Sequence, residues 1–339
     1  MGVTDHPTNP GPGSPRAAED DRDHVLVVVR GLRRVHRARP RPVVAVDAVD
    51  LTVRAGEVVA LCGPNGAGKT SLLDCVSGIR RPDAGTVRVV GVDPYRAGPA
   101  TRARIGVVLP DLGLPAAAPA GAVLAHHAGM HADPRPVAEL AGRLGVADLG
   151  RTAVRRLSSG QRQRLAVACA LVGRPDVLIM DEPTAALDPE GRRAVLELVA
   201  EAATDGCDVL WSSHTLLDVE RAADRVVVLA RGRVLADGPP DRVTGEEVVR
   251  FTAPPGSPLE ALRTALGAGA ELSETAPGTF ELRGCHGPQE LVSVASWQAG
   301  NGSRGGITLA RPSLEELVLR LGDEQRRASS GPAVGTYPR

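Results

Sequence analysis

With 339 residues, 42% of them hydrophobic but only 2% aromatic, the chain is long enough for two domains whose cores must be built from Val, Leu and Ala. A formal net charge of zero gives no bulk attraction for nucleic acid, and no nucleic-acid partner is expected. The five cysteines (Cys62, Cys75, Cys169, Cys207 and Cys285) are odd in number and lack C-x-x-C spacing, which argues against a disulfide or zinc framework and for reduced thiols in a cytosolic chain.

No apolar stretch approaches the length of a membrane span, and no apolar leader opens the chain. Work at a membrane is therefore expected from the cytoplasmic face, through a partner. Residues 1–23 are polar and Pro-rich and read as a disordered tail. A strand begins at Val25. Residues 30–41 are arginine-dense and read as a solvated loop, with contact to nucleotide or anionic headgroups as the sharper alternative. Val43 to Val53 alternates apolar and polar residues, as a half-buried strand does. Val58-Val59-Ala60-Leu61-Cys62 is continuously apolar and reads as a buried strand.

The next eight residues, Gly63-Pro64-Asn65-Gly66-Ala67-Gly68-Lys69-Thr70, spell G-x-x-x-x-G-K-[ST], and a helix follows from Thr70-Ser71-Leu72. Strand, loop and helix in that order make a phosphate-binding loop. Its glycines let backbone N–H groups turn toward phosphate oxygens, and the helix N-terminus adds partial positive charge. Lys69 is expected to reach the β- and γ-phosphates, the Thr70 hydroxyl to bind Mg²⁺, and Ser71 to complete the contact. Lys69 is the only lysine in the chain; all other basic positions of the Lys/Arg type are arginine. A compact ammonium fits between phosphates where a planar guanidinium does not.

Beyond the loop helix the pattern predicts strands at 86–92 and 105–109. An Ala-rich helical insertion follows over about 110–160, with helices at 121–130 and 135–145. A long helix over 157–172 opens on Ser158-Ser159-Gly160-Gln161. Further on come a buried strand at 177–181, a helix at 189–203, a strand at 208–213 ending at His214, and strands at 225–229 and 233–236. Alternating strands and helices make this part α/β with a P-loop core. After Gly238-Pro239-Pro240, the order strand, helix, strand, strand, helix, strand predicts a small α+β ferredoxin-like domain, closed by a helix from Ser313 to Leu321. The expected division is a tail at 1–23, a P-loop nucleotide-binding domain at 24–240, an accessory domain at 245–322 and a disordered tail at 323–339.

The strand at 177–181 runs into Asp181-Glu182. At the C-terminal edge of a sheet these acids point into the ligand crevice. Asp181 is expected to hold Mg²⁺, and Glu182 to orient or deprotonate the attacking water.

Together these motifs resemble the ATP-binding subunit of an ABC transporter over roughly residues 25–240. Leu157-Ser158-Ser159-Gly160-Gln161 resembles that family's L-S-G-G-Q signature, Asp188 in Ala185-Ala186-Leu187-Asp188 its D-loop, and His214 its switch histidine. The resemblance implies ATP and Mg²⁺ as ligands and ATP hydrolysis coupled to transport. It also implies two ATPs sandwiched head to tail between two ATP-binding subunits, a homodimer or a pair with a similar chain. A separate transmembrane permease subunit would be the partner. Pro312-Ser313-Leu314-Glu315-Glu316-Leu317-Val318-Leu319 resembles the closing helix of daunorubicin-resistance-type antibiotic exporters, which points to export of a hydrophobic compound. A soluble ABC-type regulator with little hydrolysis is the alternative; a P-loop kinase is disfavoured by the signature and His214 together.

Three departures from the family pattern stand out. Ser159 replaces a glycine, adding a Cβ where backbone nears phosphate. Pro110 and Asp111 stand where the family has a glutamine touching Mg²⁺ and water, which leaves Asp111 as the candidate neighbour and the rate of hydrolysis open. The adenine-stacking aromatic is missing before Val43, and His36 is the nearest planar ring.

Overall fold

The computed structural model describes residues 25–37, 41–110, 113–244, 247–266, 270–284, 288–303, 305–314 and 316–318. The tails expected at 1–23 and 323–339 lie outside the described residues, as does Asp111.

The chain opens with two long antiparallel strands, β1 (Val25–His36) and β2 (Val43–Arg54), then β3 (Val58–Cys62) and α1 (Lys69–Val76). β4 (Ala84–Val89) pairs with β1 and is shorter than its apolar pattern suggested. Val90 takes a φ of +52°, and the Val89 and Val92 backbones bond to each other, so the chain turns there instead of extending. The short α2 (Pro99–Arg102) leads to β5 (Ile105–Val108). The helical insertion holds α3 (Ala120–Ala128) and α4 (Val137–Arg143), then α5 (Ser159–Leu171) returns to the sheet.

β6 (Val177–Asp181), α6 (Pro189–Thr204), β7 (Asp208–Ser212), α7 (Leu216–Ala222), β8 (Arg225–Ala230) and β9 (Arg233–Gly238) complete this part. A six-stranded sheet runs β5-β6-β7-β3-β8-β9, parallel except at β9; a separate antiparallel sheet runs β2-β1-β4.

Every residue of β3, β6 and β7 is buried, as parallel strands covered on both faces require. The period of two decides which core each side chain joins. Val58, Ala60 and Cys62 face the core shared with α5 and α6, whereas Val59 and Leu61 face α1 and the antiparallel sheet. With few aromatics, that core is assembled from many Val and Leu side chains, each worth about 1.5–3 kcal/mol when fully buried. Burial also pushes the Cys62, Cys169 and Cys207 thiols up to about 12, which makes them inert packing groups.

Asp208 is fully buried at the start of β7. It accepts from Gly56 N at 3.2 Å and Leu26 N at 3.3 Å, tying β1 and the β2–β3 turn to the sheet. Burial outweighs these bonds and pushes its carboxyl up to about 7. Its folded pKa therefore lies above its unfolded one. The stability it contributes is present in acid and is lost as pH rises from the ordinary carboxylate range toward 7. Relative to an Asp208→Asn chain, the wild type is expected to lose melting temperature between about pH 5 and about pH 7, by thermal denaturation at a series of pH values. A difference between the two that stays constant over that window would count against the assignment.

After the short α8 (Pro240–Val243) come β10 (Val248–Thr252), α9 (Glu260–Leu266), β11 (Glu271–Ala276), β12 (Thr279–Arg283), α10 (Pro288–Gly300) and β13 (Ile307–Ala310). They form an antiparallel sheet in the order β11-β12-β10-β13, the ferredoxin-like arrangement, with Phe251 stacked on Phe280 and Trp297 edge-on to Phe251 in its core.

Candidate functional site

The site lies at the C-terminal edge of the six-stranded sheet, where the chain leaves β3, β6 and β7. β3 delivers the phosphate loop. Gly63 has a φ of +143° and Gly68 of +109°. A Cβ on Gly63 would sit 2.1 Å from Leu229 O, and one on Gly68 2.1 Å from Ala45 O. These glycines are demanded by close backbone approach from distant strands as well as by the turn. The Gly232 N–H donates to Ala67 O at 2.9 Å and braces the loop from the β8–β9 turn. Asn65, Gly66 and Thr70 are exposed at the mouth, while Ala67 is buried beneath and Pro64 and Ser71 are half-buried.

Lys69 is only 7% exposed. Its Nζ donates to Gly63 O at 2.7 Å and to Pro64 O at 3.3 Å, holding the loop closed around it. Burial lowers its pKa, and the nearby Glu182, Cys62 and Asp181 oppose that shift.

β6 ends in Asp181, and Glu182 follows it. Asp181 is buried; its Oδ1 accepts from the Ser212 hydroxyl, and its Oδ2 is buried without a hydrogen-bond partner. A buried carboxylate oxygen left open near the Lys69 ammonium matches what Mg²⁺ seeks, a hard oxygen donor near phosphate. The residues present therefore fit the ion, with Thr70 and Asp181 as the groups that would hold it. Glu182 adopts a φ of +51°, a left-handed conformation that costs a non-glycine residue energy. It is held there by its N–H, which donates to Ser212 O at 3.2 Å and Ser212 Oγ at 3.0 Å. The turn swings the carboxylate out so that Oε2 meets His214 Nδ1 at 2.5 Å.

The signature residues cap α5. Ser158 Oγ accepts from Gln161 N at 3.2 Å, and Gln161 Oε1 accepts from Ser158 N at 2.9 Å, a reciprocal capping box. Among the described residues the Ser158 hydroxyl donates to no acceptor, so its hydrogen can be offered to a ligand. Ser159 is the exposed first residue of α5, so its extra Cβ carries no backbone strain. Gly160 is the constrained glycine: a Cβ there would lie 2.8 Å from Ala186 O. Asp188 caps α6, its Oδ1 accepting from Gly191 N at 2.8 Å. Among the described residues no hydrogen bond joins Ser158–Gln161 to the phosphate loop; the signature packs against the Ala186–Asp188 turn instead.

Three functional contacts escaped the sequence reading. Ser212 orients both Asp181 and Glu182. Thr184 Oγ1 donates to the buried Asp218 of α7 at 2.9 Å. The His36 ring sits 2.8 Å from Ser71 Oγ, at the rim of the phosphate loop, so the planar ring nearest to β2 in the sequence is at the nucleotide end after all. Ser212-Ser213 before His214 was the one local signal available; the other pairings join residues far apart in the chain.

A phosphate loop, a carboxylate pair and a histidine converging from three parallel strands define a P-loop nucleoside triphosphatase. Residues 46–185 match the family model described as ABC transporter. The daunorubicin resistance ATP-binding protein DrrA3 of Streptomyces coeruleorubidus is 34% identical over 297 residues, which cover 84% of this chain and 92% of that protein. The methionine import ATP-binding protein MetN of Streptomyces coelicolor is 37% identical over 288 residues, covering 80% of each chain. The structure of cbiO1 from Clostridium perfringens, part of the ABC transporter complex cbiONQ, superposes with a TM-score of 0.54 at 30% identity, covering 66% of this chain and 91% of that one. The chain belongs to the ABC transporter family of ATP-binding proteins. It is an ATP-binding and ATP-hydrolysing subunit that uses Mg²⁺.

Proposed function

We propose that this subunit drives export of a hydrophobic, drug-like compound through a separate membrane subunit, working as a dimer on the cytoplasmic face of the membrane. The observation that carries the ATPase half is the convergence of Lys69, Asp181, Glu182 and His214 on one sheet edge. Lys69 binds the β- and γ-phosphates in the nest formed by Gly63 to Thr70, with Ser71 beside it. Mg²⁺, when bound by Thr70 and Asp181, neutralises charge developing on the phosphate oxygens. Glu182 orients the attacking water and takes its proton, while His214 holds the Glu182 carboxylate in place. Ser158, Ser159, Gly160 and Gln161 of one subunit close over the ATP held by the other, and Asp188 shapes the turn that the signature packs against.

Export is supported by the similarity to the daunorubicin resistance protein, which covers 84% of this chain and is too long to be confined to residues 24–240. Similarity to a methionine importer supports import as the second reading. No helix among the described residues is long and apolar enough to cross a membrane, and membership of the ABC transporter family supports a separate permease partner. A groove of about 710 Å³ along the edge strand β5, lined by Val107, Leu114, Met130 and Ala166, suits an apolar segment of that partner. We assign residues 24–240 to the ATP-binding domain and 245–322 to the accessory domain.

The test is fractionation of cells making this chain with and without its cognate protein of about six spans, followed by daunorubicin transport into inside-out vesicles, the direction that corresponds to efflux from the cell. Membrane association only when the partner is present, and ATP-dependent drug movement, are expected. Association that ignores the partner, or ATP-driven import of an amino acid in place of drug movement, would overturn the reading.

A further inference from the structure

α7 joins several parts of the site. It begins two residues beyond His214, through a turn in which Thr215 N donates to Ser213 Oγ at 3.0 Å. Its buried Asp218 accepts from Thr184, two residues past Glu182, and lies 3.5 Å from Arg192 Nε on α6. His214 itself is more than half exposed, so the placement of its ring depends on where this turn and α7 hold its backbone.

The far side of α7 is gripped by the C-terminal domain. Ser313 and Glu316 cap each other reciprocally, Glu316 N donating to Ser313 Oγ at 3.2 Å and Ser313 N to Glu316 Oε2 at 3.3 Å. That cap starts a turn of helix whose Leu314 is fully buried and whose Leu317 is nearly so, both in the same core as Leu216 and Val219 of α7. The Leu314 N–H donates to Glu220 Oε1 at 3.2 Å. Glu316 in turn holds Arg250 of β10 through both carboxylate oxygens, and Arg250 also donates to Glu281 of β12 at 3.1 Å. Contacts thus run unbroken from the accessory sheet through the closing helix and α7 to the residue that meets Glu182.

We infer that the closing helix is a clamp on α7, and that Leu314 and Glu220 are positioning residues which set the His214–Glu182 contact, so that the C-terminal domain governs turnover and leaves ATP affinity alone. This rests on the ATPase roles proposed above for Glu182 and His214. The split between turnover and affinity follows from the architecture. The phosphate loop is braced by Leu229, Ala45 and Gly232, none of which belongs to α7 or to the clamp. A relaxed α7 therefore shifts the water-activating pair while the nest keeps its shape.

The test uses the full chain and steady-state ATPase rates. Glu220→Leu removes the acceptor for Leu314 N, Glu220→Gln keeps one, and Leu314→Ala removes the buried anchor. Glu220→Leu and Leu314→Ala are expected to lower kcat about three- to tenfold with KM for ATP unchanged, and Glu220→Gln to restore it. Glu220 is exposed, so the pair of Glu220 variants decides the matter even if Leu314→Ala fails to fold. Unchanged kcat in Glu220→Leu, equal impairment in Glu220→Gln, or a parallel change in kcat and KM overturns the clamp. A wild-type chain that hydrolyses no ATP would instead overturn the roles on which the clamp rests.

Discussion

Lys69→Ala is expected to weaken ATP binding by at least about thirtyfold. The ammonium is nearly buried, bonded to Gly63 O and Pro64 O, and it is the cation that faces Asp181 and Glu182. Removing it does three things at once. Two loop carbonyls lose their donor, two carboxylates lose a compensating charge, and the phosphates meet that negative cluster unshielded. Truncating one partner of a buried, hydrogen-bonded charge cluster costs about 2–5 kcal/mol, which is about thirtyfold to several-thousandfold in affinity. Equilibrium titration with a fluorescent ATP analogue would measure it. Lys69→Arg is expected to fail as well, because a planar guanidinium cannot turn within the space between Gly63 O and Pro64 O. Arginine serves at every other Lys/Arg position of the chain, so a Lys69→Arg variant that bound ATP normally would refute the argument that a compact cation is needed.

What could be read from the sequence follows the range of the interactions. The phosphate loop was legible because its chemistry is local: a continuous apolar strand, a Gly-rich turn and a helix start within about a dozen residues. Asp181 and Glu182 were legible for the same reason, as acids at the end of an apolar run. The alternation of strands and helices was enough for the α/β core, and the strand and helix order was enough for the accessory sheet. What stayed hidden is pairing across the chain. The sequence does not say that Ser212 serves Asp181, that Asp218 of α7 receives Thr184, or that His36 folds onto Ser71, because each contact depends on strand order, not on spacing. The glycines show the same limit. Gly63 and Gly68 read as a phosphate cradle, yet the atoms that forbid a Cβ there belong to Leu229 and Ala45. Gly160 likewise is fixed by Ala186, which explains why Ser159, one residue earlier and exposed, tolerates a side chain that the family pattern lacks.

Glu182→Gln is expected to separate binding from chemistry. The substitution keeps the side chain's shape and an oxygen that can still meet His214 Nδ1, and it leaves the backbone bonds from residue 182 to Ser212 intact. What it removes is the ability to take a proton. Loss of a positioned general base costs about 10²- to 10⁴-fold in rate. Lys69, Thr70 and Asp181 are untouched, so ATP binds as before. In a site completed by two subunits, bound but unhydrolysed ATP holds them together. The Glu182→Gln chain should therefore elute as an ATP-dependent dimer in size-exclusion chromatography while single-turnover hydrolysis falls at least a hundredfold, about 3 kcal/mol of barrier. The left-handed backbone at residue 182 sharpens the expectation. Strain at that position is retained only because the turn aims one carboxylate at His214 and the phosphate end of the site. Glu182→Gly, which relieves the strain and deletes the base, should lose the same rate while raising thermal stability. Hydrolysis at the wild-type rate in either variant would remove Glu182 from the reaction.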